Sequence, residues 1–348
     1  MEPFRLILRS DSINIGTCLG VSLFLFVNFG KTDKMRIPVP SDIQSAHERI
    51  KPYIHNTPVL TSQLLNDHFG CELFFKCENF QKVGAFKFRG ATNAVLSLSA
   101  EERSLGVVTH SSGNHAAALA LAARMNGVKA NIVMPENAPA VKKNAVAGYG
   151  ASITFCKPTL QAREETTRMI MERTGSTLIH PYDNFNVICG QGTAALELLE
   201  EITDLEVIIA PIGGGGLMSG TSIYAKSFSN TIQVIGAEPA NADDAFRSFT
   251  TGKLFPSVNP STVADGLLTS LSELTFSIIR SNVDAIYTVQ EESIIECMLL
   301  VWERMKIIIE PSSATVLAVV KENPDVFRGR KTGLILSGGN VDFRNLPL

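Results

Sequence analysis

Short apolar runs alternate with helical stretches along most of this chain, and that alternation constrains its fold more than any other feature. Val107–Thr109 precedes a helical stretch at Ala116–Met125, and Asn131–Met134 precedes another at Ala140–Ala147. Ser152–Cys156 leads into Gln161–Arg173, and Thr177–His180 closes the block before a turn at Pro181-Tyr182-Asp183. A second block follows: helix Gly192–Ile202, strand Val207–Ala210, helix Met218–Lys226 and strand Gln233–Ala237. Strands separated by helices pair in parallel, with the helices packed over the sheet faces. The spacing therefore predicts an α/β fold of parallel, helix-covered sheets, and no internal repeat or low-complexity tract interrupts it.

Three strands run into loops that carry chemistry. Val207–Ala210 opens into Gly213-Gly214-Gly215-Gly216, Val107–Thr109 into Ser111-Ser112-Gly113-Asn114-His115, and Leu334-Ile335-Leu336 into Ser337-Gly338-Gly339-Asn340. Ligands of open parallel sheets bind at these strand ends. Glycines let backbone N–H groups close around a phosphate, and a following helix N-terminus adds its dipole. A tight strand-to-helix turn alone rarely needs four glycines in a row. Lys87 lies between Phe86 and Phe88, ahead of Arg89-Gly90. A lysine boxed in by aromatics loses hydration, which disfavours the ammonium and frees the lone pair needed for a Schiff base with an aldehyde cofactor. Taken alone, such a lysine more often snorkels to water; with three strand-end loops beside it, the chemical reading prevails.

Composition narrows the class. At 348 residues, 45% hydrophobic and 19% charged, the chain suits one large or two modest globular domains. A net charge of −3 gives no electrostatic case for nucleic acid. The six cysteines (Cys18, Cys71, Cys77, Cys156, Cys189 and Cys297) form no Cys-x-x-Cys pair and read as inert buried thiols of a reducing, cytoplasmic compartment. Ser12–Gly30 carries no formal charge and includes Leu23-Phe24-Leu25-Phe26-Val27. That stretch could just span a bilayer, but Asn14, Gly16, Thr17, Gly20, Ser22 and Asn28 dilute it. Residues 1–35 thus read either as an upstream extension, with a natural start at Met35, or as a membrane anchor. If inserted, Lys31, Lys34 and Arg36 favour a cytosolic enzyme.

From about Ile43 to Phe343 the chain resembles the serine racemase and serine/threonine dehydratase family, pyridoxal-phosphate (PLP) enzymes of the tryptophan-synthase-β fold type. The resemblance rests on Gly-Ala-Phe-Lys-Phe-Arg-Gly, Ser-Ser-Gly-Asn-His, the four glycines and Leu-Ser-Gly-Gly-Asn. It implies two parallel-sheet domains, a large one from 36–103 and 182–348 and a small one from 104–181, with PLP in the cleft between them. It implies a homodimer that racemises serine, or eliminates water and ammonia from serine- and threonine-type 3-hydroxy amino acids to give pyruvate or 2-oxobutanoate. A pure ammonia-lyase acting on threonine, serine or 3-hydroxyaspartate is the alternative.

The same resemblance assigns roles. Lys87 holds PLP and moves the Cα proton on one face, while Ser112 serves as acid/base on the other, where typical dehydratases have alanine. Gly213, Gly214, Gly215 and Gly216 cradle the phosphate, Phe86 packs on the ring and Asn114 hydrogen-bonds the phenolic oxygen. Ser337 meets the pyridine nitrogen; a serine there is also compatible with a helix N-cap. Ser111, Ser112, Asn114 and His115 bind the substrate carboxylate through loop donors, with Arg163 and Thr269 closing over the substrate. Glu238, the Ala242 carbonyl and Asp244 bind Mg²⁺ or Ca²⁺, a set of hard oxygen donors.

Some positions depart from the family pattern. Ala116-Ala117 replaces the Gly-Gln whose glutamine contacts ATP in mammalian-type racemases, so the resemblance does not extend to nucleotide activation. His180-Pro181-Tyr182-Asp183 replaces His-Pro-Asn, which bears on substrate preference. The chain ends at Leu348, which matches forms lacking the C-terminal regulatory domain of biosynthetic threonine deaminases. A dinucleotide-dependent oxidoreductase is the distant alternative, since Gly213-x-Gly215 follows a strand and Glu238 ends the next. Against it, position 218 is Met and the reading leaves Lys87 and Ser337 without a purpose.

Overall fold

The computed structural model describes residues 36–343. The stretch Ser12–Gly30, with Cys18, lies outside the described residues. Ten strands are described: β1 Val59–Leu60, β2 Glu72–Cys77, β3 Val107–His110, β4 Ala130–Pro135, β5 Ser152–Cys156, β6 Thr177–Leu178, β7 Val207–Pro211, β8 Gln233–Pro239, β9 Ala285–Val289 and β10 Lys331–Leu336. They form a six-stranded sheet of order β1-β2-β10-β7-β8-β9 and a four-stranded sheet of order β5-β4-β3-β6. All pairings are parallel except β1 with β2, an antiparallel edge.

Apolar residues on both faces explain why these strands read as continuous hydrophobic runs. Successive side chains point to opposite faces. Val207 and Ile209 of β7 enter one core with Leu334, Leu336 and the helix Pro311–Glu322. Ile208 and Ala210 enter the other with Ile335 and the helices Phe185–Glu201 and Gly216–Phe228. The smaller sheet alternates likewise, Val107 and Ile132 on one face and Val108 and Val133 on the other. The five described cysteines are free and buried, and burial pushes the Cys77 and Cys297 thiols up to about 12.

The strand-and-helix alternation appears where the spacing predicts it, with one large difference. The helix expected at Gly192–Ile202 begins seven residues earlier, at Phe185, where the Asn184 side chain accepts the Val187 N–H at 3.0 Å. Gly190 and Gly192 within it are points of helix contact. A Cβ on Gly190 would lie 2.6 Å from the Gly90 Cα, and one on Gly192 would lie 2.9 Å from the Gly220 carbonyl oxygen. Strand β6 stops at Leu178, short of His180. The His180 ring instead accepts the Asp183 N–H at 2.9 Å and so turns the chain.

Candidate active site

The strand ends gather the loops singled out in the sequence. Leu336 of β10 lies beside Cys77 of β2, Ala85 bridges to Gly338, and the Phe86 N–H donates to the Ser337 carbonyl at 2.9 Å. These bonds fix Lys87 at the first turn of the helix Lys87–Leu96. Its amine donates to the Pro181 carbonyl at 3.0 Å and sits 5.0 Å from the centre of the Phe86 ring. Burial lowers the Lys87 pKa to about 8, against the opposing pull of Glu310. The expected boxing by two aromatics is only half realised, because Phe88 turns into the core beside Ala91 and Ala94.

A buried set of charges anchors this helix. Arg89 donates to Glu78 at 2.7 Å and 2.8 Å and to Glu197 at 2.7 Å and 2.6 Å. Lys76 reaches the same Glu197 at 2.7 Å. Burial opposes ionisation of Glu197, but Arg89 and Lys76 outweigh it and hold its pKa below the ordinary range. A helix start two residues from Arg89 is thereby tied to β2 and to the helix Phe185–Glu201.

The four glycines serve two purposes. Gly215 has φ +83° and caps the helix Gly216–Phe228, a backbone region that favours glycine. The others leave room for neighbours: a Cβ on Gly213 would lie 3.0 Å from the Leu267 Cα, and one on Gly214 would lie 2.2 Å from the Tyr182 ring. The first N–H groups of the helix have no intrahelical partner and are suited to a phosphate. Burial and Asp183 push the Tyr182 phenol up to about 12. Thr269 is exposed on the loop that carries Leu267 against Gly213.

At the end of β3, Ser111 is tied to β4 through its N–H and the Val133 carbonyl, and its Oγ accepts the Gly113 N–H at 3.3 Å. Ser112 is half-buried beside it. Asn114 and His115 open the helix Asn114–Met125. The buried His115 ring lies 3.0 Å from the Ile179 carbonyl through Nε2, so that nitrogen carries the proton and Nδ1 is a bare acceptor without a partner. Burial and Lys87 lower the His115 pKa to about 3, which keeps the ring neutral. Any donor from His115 to a carboxylate is therefore its backbone N–H.

Burial and His110 likewise lower His180 to about 3. Its ring stands 5.7 Å from that of His110 and 4.6 Å from that of Tyr182. Arg163, on the helix Leu160–Thr174, reaches His110 and Tyr182 electrostatically; it adds to the lowering of His110 by burial and only weakly opposes the rise of Tyr182.

Ser337 is buried, with Oγ 3.1 Å from the Ser313 Oγ. Ser313 donates to the Gly338 carbonyl at 2.7 Å, so between the two hydroxyls Ser337 is the donor and Ser313 the acceptor. Among the described residues no helix follows Ser337, so it does not act as an N-cap there. Glu310 was not singled out in the sequence, where it reads as an ordinary acidic residue before a proline. It accepts from Asn114 Nδ2 at 3.0 Å and 3.1 Å. The buried quartet was equally silent, because its members' roles depend on distant partners.

Glu238 ends β8 and accepts the Ala245 and Phe246 N–H groups at 2.8 Å and 2.7 Å. Burial raises Glu238 to about 9 and Asp244 to about 6. Asp244 Oδ2 is buried without a partner. Among the described residues no group of three or more His, Cys, Asp or Glu side chains could hold a metal. Two carboxylates and a carbonyl nevertheless fit a hard cation, which would give Asp244 Oδ2 the partner it lacks.

A desolvated lysine, a glycine loop for a phosphate and a hydroxyl at the third strand end define an enzyme built around a phosphorylated aldehyde cofactor. Residues 50–338 match the pyridoxal-phosphate dependent enzyme family, and the chain belongs to it. It is 54% identical to the serine racemase of Dictyostelium discoideum over 88% of this chain and 95% of that protein. It is 49% identical to the beta-hydroxyaspartate dehydratase of Paracoccus denitrificans, over 90% of this chain and 99% of the other. The crystal structure of the Dictyostelium racemase superposes with a TM-score of 0.85, covering 88% of this chain and 99% of that one. Family membership sets aside the dinucleotide reading.

Proposed function

We propose that this chain is a PLP enzyme of 3-hydroxy amino acids that racemises serine and eliminates water and ammonia from the same substrates. The observation that carries this reading is the Lys87 amine, buried and brought to about 8, on a helix that is tied to the Ser337 loop through the Phe86 N–H. When bound, PLP supplies an electron sink that acidifies the Cα–H of the amino acid joined to it. Lys87 holds the cofactor and moves that proton on one face, and Ser112 moves it on the other. Phe86 packs on the cofactor ring, Asn114 donates to its phenolic oxygen, and Gly213, Gly214, Gly215 and Gly216 hold the phosphate. Ser337 donates to the ring nitrogen; a neutral donor there withdraws less charge than a carboxylate-bound proton would and favours quick reprotonation or loss of the hydroxyl.

The substrate carboxylate meets the Ser111–His115 loop at a helix N-terminus, with Arg163 and Thr269 at the rim. Glu238, Asp244 and the Ala242 carbonyl hold Mg²⁺ or Ca²⁺ in this reading. Segments 36–103 and 182–348 act as the large domain and 104–181 as the small one, a division supported by their separate sheets. The enzyme works as a cytoplasmic homodimer, a reading supported by the family resemblance and by five buried, unpaired cysteines. Nucleotide activation is not part of it, since Ala116 is buried and Ala117 offers no polar group.

Arg163 beside His110 and Tyr182 favours one second reading, an ammonia-lyase for 3-hydroxyaspartate, whose additional carboxylate an arginine would receive. Chiral amino-acid analysis and a keto-acid assay on serine, threonine and 3-hydroxyaspartate test both. D-serine from L-serine supports the first. Keto acid from 3-hydroxyaspartate alone, with no D-serine, supports the second, and no product from any of the three sinks both.

A further inference from the structure

We propose that the cleft between the C-terminal ends of the helices Pro40–Ile50 and Phe185–Glu201 is a binding site for a small alkylguanidinium ligand. The cleft has a volume of about 300 Å³ and is lined by His47, Lys51, Ile54, Glu197, Glu200 and Glu201. A helix C-terminus carries partial negative charge, and two of them converge here. The floor is a pair of acceptors. The buried His47 Nδ1 has no hydrogen-bond partner and stands 3.8 Å from Glu197 Oε1, the two side chains being 12% and 5% exposed. Glu197 Oε1 takes one bond, from Arg89 at 2.7 Å, whereas Oε2 takes two, from Arg89 at 2.6 Å and Lys76 at 2.7 Å. A carboxylate oxygen that accepts once has room for a second donor. Burial lowers the His47 pKa and outweighs Glu197, Glu200 and Glu48, which raise it, while Arg89 adds to the fall. The ring is therefore neutral at neutral pH, and Nδ1 accepts when Nε2 carries the proton. One donor nitrogen placed between His47 Nδ1 and Glu197 Oε1 reaches both.

The walls set the charge of the occupant. Glu200 and Glu201 end the helix Phe185–Glu201 and are exposed, while the ion pairs of this region go to Glu197. Lys51, exposed at the rim, offsets only part of this acidity. A cation is thus favoured, but not a metal: among the described residues no group of three or more His, Cys, Asp or Glu side chains could hold one. A guanidinium presents five N–H donors in a planar fork, pairs with carboxylates through two bonds and sheds water more readily than an ammonium. Its alkyl chain would lie against the half-buried Ile54. Glu197 is also the counter-ion of Arg89, two residues beyond Lys87, so an occupant of this cleft bears on the lysine-bearing helix.

The test is calorimetric titration of the PLP-loaded protein with butylguanidinium at low ionic strength, a readout that requires no turnover. Wild-type protein should bind one equivalent per chain, saturating at millimolar concentration or below. Glu200→Gln combined with Glu201→Gln should weaken binding by about tenfold or more, and His47→Leu should do the same, the usual worth of hydrogen bonds to a charged group. Melting of the ligand-free double variant should change little, because both side chains are exposed. Tetramethylammonium, which has the same charge and no N–H, should bind about tenfold more weakly than butylguanidinium. Absence of saturable binding overturns the proposal, and so does unchanged affinity in either variant. Equal binding of tetramethylammonium overturns it as well, since the cleft would then be a merely acidic surface. Displacement of butylguanidinium by an equal concentration of Mg²⁺ would assign the cleft to a metal and also overturn it. If His47→Leu does not fold, the double variant decides.

Discussion

The amine of Lys87 donates to the carbonyl of Pro181 at 3.0 Å. Pro181 follows β6 and the His180 turn, on the segment that leaves the four-stranded sheet, while Lys87 begins a helix stitched to β10. The Lys87 amine is therefore presented by one sheet and oriented by the chain leaving the other.

A neutral amine is needed to capture an aldehyde, and burial has brought Lys87 to about 8. Reconstitution of cofactor-free protein with PLP should accelerate as pH rises and level off above about 8. An exposed lysine near its ordinary value of about 10.4 would still be gaining rate there. Between the folded and unfolded values the unfolded chain holds a proton that the folded one has lost, so this group favours folding increasingly as pH rises through that window. Lys87→Ala should abolish both cofactor capture and turnover. Normal capture by that variant would contradict the assignment.

Ser112→Ala should lower D-serine formation from L-serine by about two to four orders of magnitude, the usual worth of a positioned proton-transfer group. Pyruvate from L-serine should survive much better, because Lys87 alone takes that proton. Pyruvate from D-serine should fall with racemisation. Equal losses of L-serine elimination and racemisation would make Ser112 a carboxylate-binding or structural residue.

Glu238→Gln or Asp244→Asn should lower melting temperature and activity together. A cation at about one hundred times its dissociation constant stabilises the folded state by about 2.7 kcal/mol. Chelator added to wild-type protein should reproduce the loss, and Mg²⁺ or Ca²⁺ should restore it. Identical melts with and without chelator would rule out a structural cation.

Glu197→Gln should destabilise the fold by about 3–5 kcal/mol, since it leaves Lys76 and Arg89 buried with one fewer counter-charge. Denaturant melts measure this directly. A cost below about 1 kcal/mol would mean that Glu78 alone neutralises both cations.

Much of this architecture is legible in the sequence, because parallel strands covered on both faces must be apolar and must end in loops. Val207–Ala210 with its glycines and Leu334–Leu336 with Ser337 are plain on those grounds. What escapes is whatever depends on two distant segments meeting. Glu310 becomes a site residue only when Asn114 arrives from another sheet, and Glu197 only when Lys76 and Arg89 do. The early start of the helix Phe185–Glu201 escapes for a related reason: Gly190 and Gly192 look like breakers until Gly90 and Gly220 are known to touch them.

Those two contacts have a consequence for how the catalytic geometry endures. The helix Phe185–Glu201 touches the lysine-bearing helix at Gly190 and the phosphate-loop helix at Gly192, within a single turn and main chain against main chain. The span between the Lys87 helix and the helix that follows the four glycines is therefore held at close range by backbone contacts at Gly90 with Gly190 and at Gly192 with Gly220. Substitutions elsewhere can reshape the walls and rim of the cleft, and with them the choice of amino acid, while that span keeps its length.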